Sequence, residues 1–185
     1  DLTCSFLINK KIKINDIEKI NIFIVSALID IFKNIGIRER VEFKWPNDIF
    51  VKKKKIGGVL IETVLSKKFI EQFVIGIGIN HVKKSLDNKY SCISLKDLKN
   101  KVDPLTLFFL ISERISYFES KFQEIDFKLL SKNLSGLFFN KNNLITIKFK
   151  NENTVGKFKS INENGELIIF IDKHLRKINF GEIVS

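Results

Sequence analysis

The stretch EFKWPNDIFVKKKKIGGVLIET, Glu42 to Thr63, compresses a Trp-Pro pair, an Asn-Asp pair, four consecutive lysines and two adjacent glycines into one run. Pro46-Asn47-Asp48 is turn chemistry. The segments on either side, Val41 to Lys44 and Asp48 to Val51, are rich in β-branched and aromatic residues and read as strands. Past the lysines, Val59 to Ser66 and Phe69 to Ile79 continue the pattern, with Lys67 and Lys68 turning a hairpin. The lysine run has two readings: the solvated tip of a hairpin, or a place where ammonium and backbone converge on an anion.

Working outward, LTCSFLI, Leu2 to Ile8, reads as a further strand. Asn15 with Glu18 forms a capping box that opens the helical spacing Ile17, Ile20, Phe23, Ile24, Ala27, Leu28, Ile31, and Gly36 ends it. From Asn80 to Tyr90 the chain turns polar, as a surface loop does. Helices follow from Pro104 to Phe122, with proline in the first turn, and from Phe127 to Leu137. From Asn143 the pattern becomes LITIKF, TVGKFKSI, the turn NENGE, LIIFI and RKINFGEIV, a series of short strands. The expected fold class is α+β: a mixed or antiparallel sheet with helices on one side over residues 1–140, then a small all-β barrel over residues 141–185.

Composition narrows the function classes. A net charge of +11 attracts polyanions, yet arginine occurs only at positions 38, 40, 114 and 176, and phosphate-reading surfaces favour arginine forks. Nucleic-acid binding therefore ranks behind an incidental basic surface. Cys4 and Cys92 lie far apart in a chain with no signal-peptide pattern, which points to a reducing, cytoplasmic setting without disulfides or a zinc knuckle. No apolar run reaches the roughly 20 residues of a membrane-spanning helix, so a soluble protein is expected.

The chemistry begins with the glycines. GIGIN, Gly76 to Asn80, ends an apolar strand with two glycines on one face, a spacing that marks close approach of a ligand or another backbone. Pairing of KIGGVLIE with QFVIGIGIN brings Gly57 and Gly58 beside them, making a slot with a backbone floor. Lys55 stands at its mouth, able to neutralise a carboxylate or phosphate. Lys52, Lys53 and Lys54 form the solvated turn. Asn47, Asp48 and Asn80 supply the remaining polar groups, whereas His81 and His174 have no partners at metal-ligand spacing.

In this order, KWPNDIFVKKKKIGGVLIE, VIGIGIN and the tail FGEIV resemble the signature of biotin protein ligases. These enzymes make biotinyl-adenylate from biotin and ATP and pass the biotin to a carrier lysine. The resemblance implies a biotin/lipoate ligase-like fold and a role for Lys55 in contacting the biotin carboxylate and the adenylate phosphate. It places Gly57, Gly58, Gly76 and Gly78 along the biotin slot and Asn47 and Asn80 on the ATP side. Asp48 then lies near the phosphates and the acceptor amine, as a catalytic partner of Lys55 and a candidate Mg²⁺ contact. Trp45 is a packing residue. The implied acceptor is the biotin carboxyl carrier domain of acetyl-CoA carboxylase; a homodimer is compatible with the family, and neither membrane nor specific DNA binding is expected.

The family's Gly/Arg-rich loop and its Ser-Thr-Asn stretch do not occur in this sequence. The expectation is a catalytic domain lacking its N-terminal part, which alone transfers little biotin and recovers activity when that segment is supplied. Two alternatives remain: a non-catalytic or incomplete relative that only binds ligand or carrier domain, and a lipoate ligase relative. The KWPND stretch and the C-terminal barrel argue against the second.

Overall fold

The computed structural model describes residues 1–66, 68–82, 91–141, 143–150, 152–172 and 174–184. Lys67 of the expected hairpin turn and residues 83–90 of the expected polar loop lie outside these. The chain forms two antiparallel sheets. The first contains β1 (Leu2–Ile8), the two-residue β2 (Ile12–Lys13), β3 (Val41–Lys44), β4 (Asp48–Val51), β5 (Lys54–Ser66) and β6 (Phe69–Ile79). Its order is β1-β6-β5-β4-β3, with β2 also on β6.

β5 starts at Lys54, five residues earlier than the β-branched run suggested, because the turn from β4 takes only two residues. Val51 pairs with Lys54, and Lys52 and Lys53 between them take φ of 52° and 60°. That is the left-handed backbone of the two-residue hairpin turn whose twist matches its strands.

Two helices, α1 (Ile17–Asn34) and α2 (Pro104–Lys121), cover one face of this sheet, and α3 (Phe127–Gly136) packs against α1 and the second sheet. α1 packs on β3, β4 and β5 and against the other two helices, so Ile20, Ile24, Leu28 and Phe32 are all buried. Alternate residues of the strands, among them Ile49, Phe73, Ile75 and Ile77, meet it from the sheet. Phe23 and Phe118 pack 5.0 Å apart between α1 and α2, and Phe6 of β1 stacks on Phe108 at 5.7 Å. The C-terminal end of α1 closes as read from the sequence. Gly36 takes φ of 90°, its N–H reaches the Lys33 carbonyl, and the Ile37 N–H reaches Phe32. No helix among the described residues is long and apolar enough to cross a membrane.

The start of α1 differs from expectation. A 3₁₀ turn occupies Ile14–Asp16, the helix begins at Ile17, and the cap position is held by Asp16 without a side-chain cap bond. Glu18 is drawn instead into the helix, where its Oε2 accepts from Asn21 Nδ2 at 3.0 Å. Gly165, in the neighbouring turn of the second sheet, sits against Glu18.

That second sheet contains β7 (Leu144–Phe149), β8 (Glu152–Ile161), β9 (Leu167–Ile171), β10 (His174–Ile178) and β11 (Glu182–Ile183) in the order β10-β9-β8-β7-β11. The expected single strand RKINFGEIV is two, separated by Gly181 at φ of 136°. α3 carries the sheet: Phe138 stacks on Phe158 with centroids 3.6 Å apart, and Ser135 Oγ accepts from the Ile161 N–H at 2.8 Å. Trp45, 2% exposed, donates its indole N–H to the Gly165 carbonyl at 3.0 Å.

Two predictions follow from this contact. A Cβ on Gly165 would lie 2.4 Å from the Glu18 Cβ and 2.9 Å from its carbonyl, at a φ of +84°. Gly165→Ala should therefore cost about 2–4 kcal/mol in urea unfolding, the sum of a left-handed alanine and an overpacked contact. Burial also pushes the Glu18 carboxyl above its ordinary value, and the Asn21 hydrogen bond offsets this in part. The unfolded chain thus ionises first, so stability is greatest below the ordinary carboxylate range and falls as pH rises through it toward the higher folded value. Glu18→Gln keeps the acceptor for Asn21 and removes that loss. It should be more stable than the parent at neutral pH and no more stable in acid.

Candidate functional site

The face of the first sheet turned away from the helices is built by strand alternation. The register sets Ser5 against Gly76 and Thr3 against Gly78 across β1 and β6, and Gly58 against Gly78 and Leu60 against Gly76 across β5 and β6. Small residues on three adjacent strands thus line one cleft of about 460 Å³, whose wall also includes Asn47, Asp48, Lys55 and Asn80. All eight residues singled out from the sequence meet here.

The four glycines do different things. A Cβ on Gly78 would meet nothing within 4 Å, and one on Gly76 only ordinary contacts beginning at 3.6 Å, so both leave the cleft open. On Gly57 it would lie 2.6 Å from the Gly78 carbonyl, and on Gly58 2.8 Å from Asp48 Oδ1. Those two glycines admit the neighbouring strand and the Asp48 carboxylate, respectively.

Lys55 reaches the cleft through a β-bulge. Ile49 pairs with Gly57 and Phe50 with Lys55, so Ile56 is the extra residue. In a regular pleat Ile56 would share the face of Gly58 and Lys55 would point into the core. The bulge reverses this, burying Ile56 completely and turning Lys55 outward, where Nζ meets Asp48 Oδ1 at 2.9 Å. Lys52 pairs with Glu39 at 2.9 Å on the far side of the turn.

The two amides are held by main chain. Asn47 Nδ2 donates to the Val59 carbonyl at 2.6 Å, and its own carbonyl accepts from the Val59 N–H at 3.0 Å, fastening β4 to β5. Asn80, 7% exposed, donates from Nδ2 to the carbonyls of Lys55 and Ile93 at 3.2 and 3.1 Å. Burial pushes the Cys4 thiol above its ordinary range. His81 bonds the Val102 carbonyl through Nε2 at 2.6 Å, a structural role.

Thr3, Ser5 and the segment around Ile93 were not picked out from the sequence. Thr3 and Ser5 could have been, because they alternate with Leu2, Cys4 and Phe6 in a strand. A cavity of about 500 Å³ between α1 and α3 is slightly larger, but it is rimmed by Asp30, Lys33 and Lys132. Convergence of glycine, ion pair and hydroxyl, rather than volume, selects the sheet cleft. It suits a flat ligand with an acid group at the Lys55 end.

Residues 1–80 match the Biotin/lipoate A/B protein ligase family. The chain is 29% identical over 92 residues to the bifunctional ligase/repressor BirA of Escherichia coli, a match covering 48% of this chain and 28% of that protein. The matched stretch thus spans under a third of that relative's length. The apo structure of biotin protein ligase from Aquifex aeolicus superposes with a TM-score of 0.80 at 23% identity, covering 98% of this chain and 80% of that one. The same ligase in complex with biotin and ATP gives 0.77 at 23% identity. These structures establish the fold, second sheet included.

Proposed function

We propose, from the match of residues 1–80 to the biotin/lipoate A/B protein ligase family, that the protein ligates biotin, through biotinyl-5'-AMP, to a lysine of a biotin carboxyl carrier protein at the expense of ATP. The observation that carries the reading is the open backbone floor at Gly76 and Gly78 with the Lys55–Asp48 pair at its end. Biotin's fused rings lie over the glycines and its carboxylate faces Lys55. A carboxylate oxygen attacks the α-phosphorus of ATP, the bond to pyrophosphate breaks, and the adenylate forms. The carrier amine then attacks the acyl carbon and AMP leaves. In both steps the residues neutralise charge and hold geometry. Lys55 faces the carboxylate and the phosphate, and Asp48 orients the incoming neutral amine and takes the proton it sheds on attack.

Mg²⁺ would be held mainly by the ATP phosphates, with one or two carboxylates from the protein; Asp48, paired with Lys55, is the residue that could contact it, and the ion would neutralise phosphate charge.

One observation favours a second reading. Leu7, Leu60 and Val64, 62%, 59% and 60% exposed, continue the same sheet face, interrupted by Glu62, as apolar surface that would take the acyl chain of a lipoate or octanoate substrate. The test mixes the protein with biotin, lipoate, MgATP and a carrier domain, with and without a relative's Gly/Arg-rich segment fused ahead of Asp1, and reads carrier mass. A biotin adduct in either arm supports the proposal. A lipoyl adduct favours the second reading, and no adduct in both arms favours a non-catalytic relative.

A further inference from the structure

β6 ends at Ile79, opposite Gly57, so it has no residue left to hold Lys55 and Ile56. We propose that Asn80 is a positioning residue for Lys55, acting with residues 91–97 as a clamp on the lysine's main chain. The proposal rests on the ligase reading above and assigns Asn80 a task other than contact with the nucleotide.

The clamp replaces the missing ladder group by group. The Lys55 N–H donates to the Ser91 carbonyl at 2.9 Å, and the Lys55 carbonyl accepts from the Ile93 N–H at 2.9 Å. Asn80 closes the gap from the other end: its N–H donates to the Ile56 carbonyl at 2.9 Å, and its Nδ2 reaches the Lys55 and Ile93 carbonyls together. The Leu95 N–H returns a bond to the Asn80 carbonyl at 2.9 Å. The strap is itself locked, because Ser94 donates N–H and Oγ–H to Asp97 Oδ2, each at 2.9 Å.

A bulge leaves side-chain direction to whatever fixes the extra residue, and here that is Asn80 and the strap. A lysine ammonium stands four methylenes from its backbone, so a small rotation at Lys55 carries Nζ away from a carboxylate in the cleft. A misplacement of about 1 Å is enough to forfeit much of a positioned contact.

The experiment is a double-mutant cycle on Asn80→Ala and Lys55→Ala, read as affinity for biotin alone and for a non-hydrolysable sulfamoyl analogue of biotinyl-adenylate. Asn80→Ala should weaken biotin alone about tenfold, close to Lys55→Ala, and should cost almost nothing further in the Lys55→Ala background. Ser94→Ala, which loosens the strap away from the cleft, should weaken biotin about two- to threefold by the same route and covers the case that Asn80→Ala fails to fold. Equal losses with and without Lys55 overturn the proposal, as does a loss confined to the adenylate analogue, which would make Asn80 a nucleotide contact. If the parent protein binds neither probe, the ligase reading fails, and the clamp fails with it as a functional device.

Discussion

Gly78→Val should abolish binding of biotin and of its adenylate while leaving the fold intact. The space above Gly78 holds no atom within 4 Å of an added Cβ, and Gly78 is not at a positive φ, so valine enters without clash or backbone strain. A β-branched residue is favoured in a strand. Its methyl groups would occupy the floor where the ligand's rings rest. Gly57→Ala is the contrasting case, because its Cβ would meet the Gly78 carbonyl at 2.6 Å. It should destabilise the sheet by about 1–3 kcal/mol. Thermal unfolding beside calorimetric titration separates the two: Gly78→Val loses ligand and keeps its melting temperature, and Gly57→Ala loses melting temperature. If Gly78→Val binds as the parent does, the ligand lies elsewhere.

Lys55→Ala should weaken the adenylate analogue at least tenfold, and Lys53→Ala should change it little. A charge-assisted hydrogen bond contributes about 1.5–3 kcal/mol, and 1.4 kcal/mol is about a factor of ten in affinity. Lys53 stands exposed in the hairpin turn, where its charge is screened within roughly 8–10 Å at ordinary salt. Titrations at low and high salt check the distinction. The Lys55 effect should persist in salt, and any Lys53 effect should fade. Equal losses would mean that the lysine run acts as a diffuse field.

Much of the fold was legible because its signals are local. β1, β3, β4, β6 and β7 begin and end where residue type and turn chemistry place them. α2 starts at Pro104 as expected, with Asp103 accepting from the N–H groups of Leu105 and Thr106. The capping box at Asn15 does not form: Glu18 bonds Asn21 instead and lies against Gly165, about 150 positions away in sequence. That is a tertiary contact no short window contains. The cleft's floor was legible in the glycine spacing, but the reason for each glycine was not, since Gly57 and Gly58 answer to neighbours on other strands.

The turning of Lys55 toward the cleft was illegible for a similar reason. Simple alternation from Gly58 puts Lys55 in the core and Ile56 in the cleft, and only the register shift between β4 and β5 reverses them. The strap at residues 91–97 gave no warning either. It meets β5 through a single parallel bridge between Lys55 and Cys92, a pairing whose partners lie 37 positions apart in sequence. What identified Lys55 in the sequence was its place immediately before the glycine pair. What makes it usable is a bulge and a clamp that the fold supplies.

The central claim is that the backbone-floored cleft between β5 and β6 receives biotinyl-adenylate with its acyl-phosphate end at Lys55. It is tested most directly by titrating the sulfamoyl analogue of biotinyl-adenylate into the parent protein and the Gly78→Val and Lys55→Ala variants by calorimetry. Binding should be saturable at one site in the parent, absent in Gly78→Val and at least tenfold weaker in Lys55→Ala. Absence of binding in the parent, or equal affinity in all three, would contradict it.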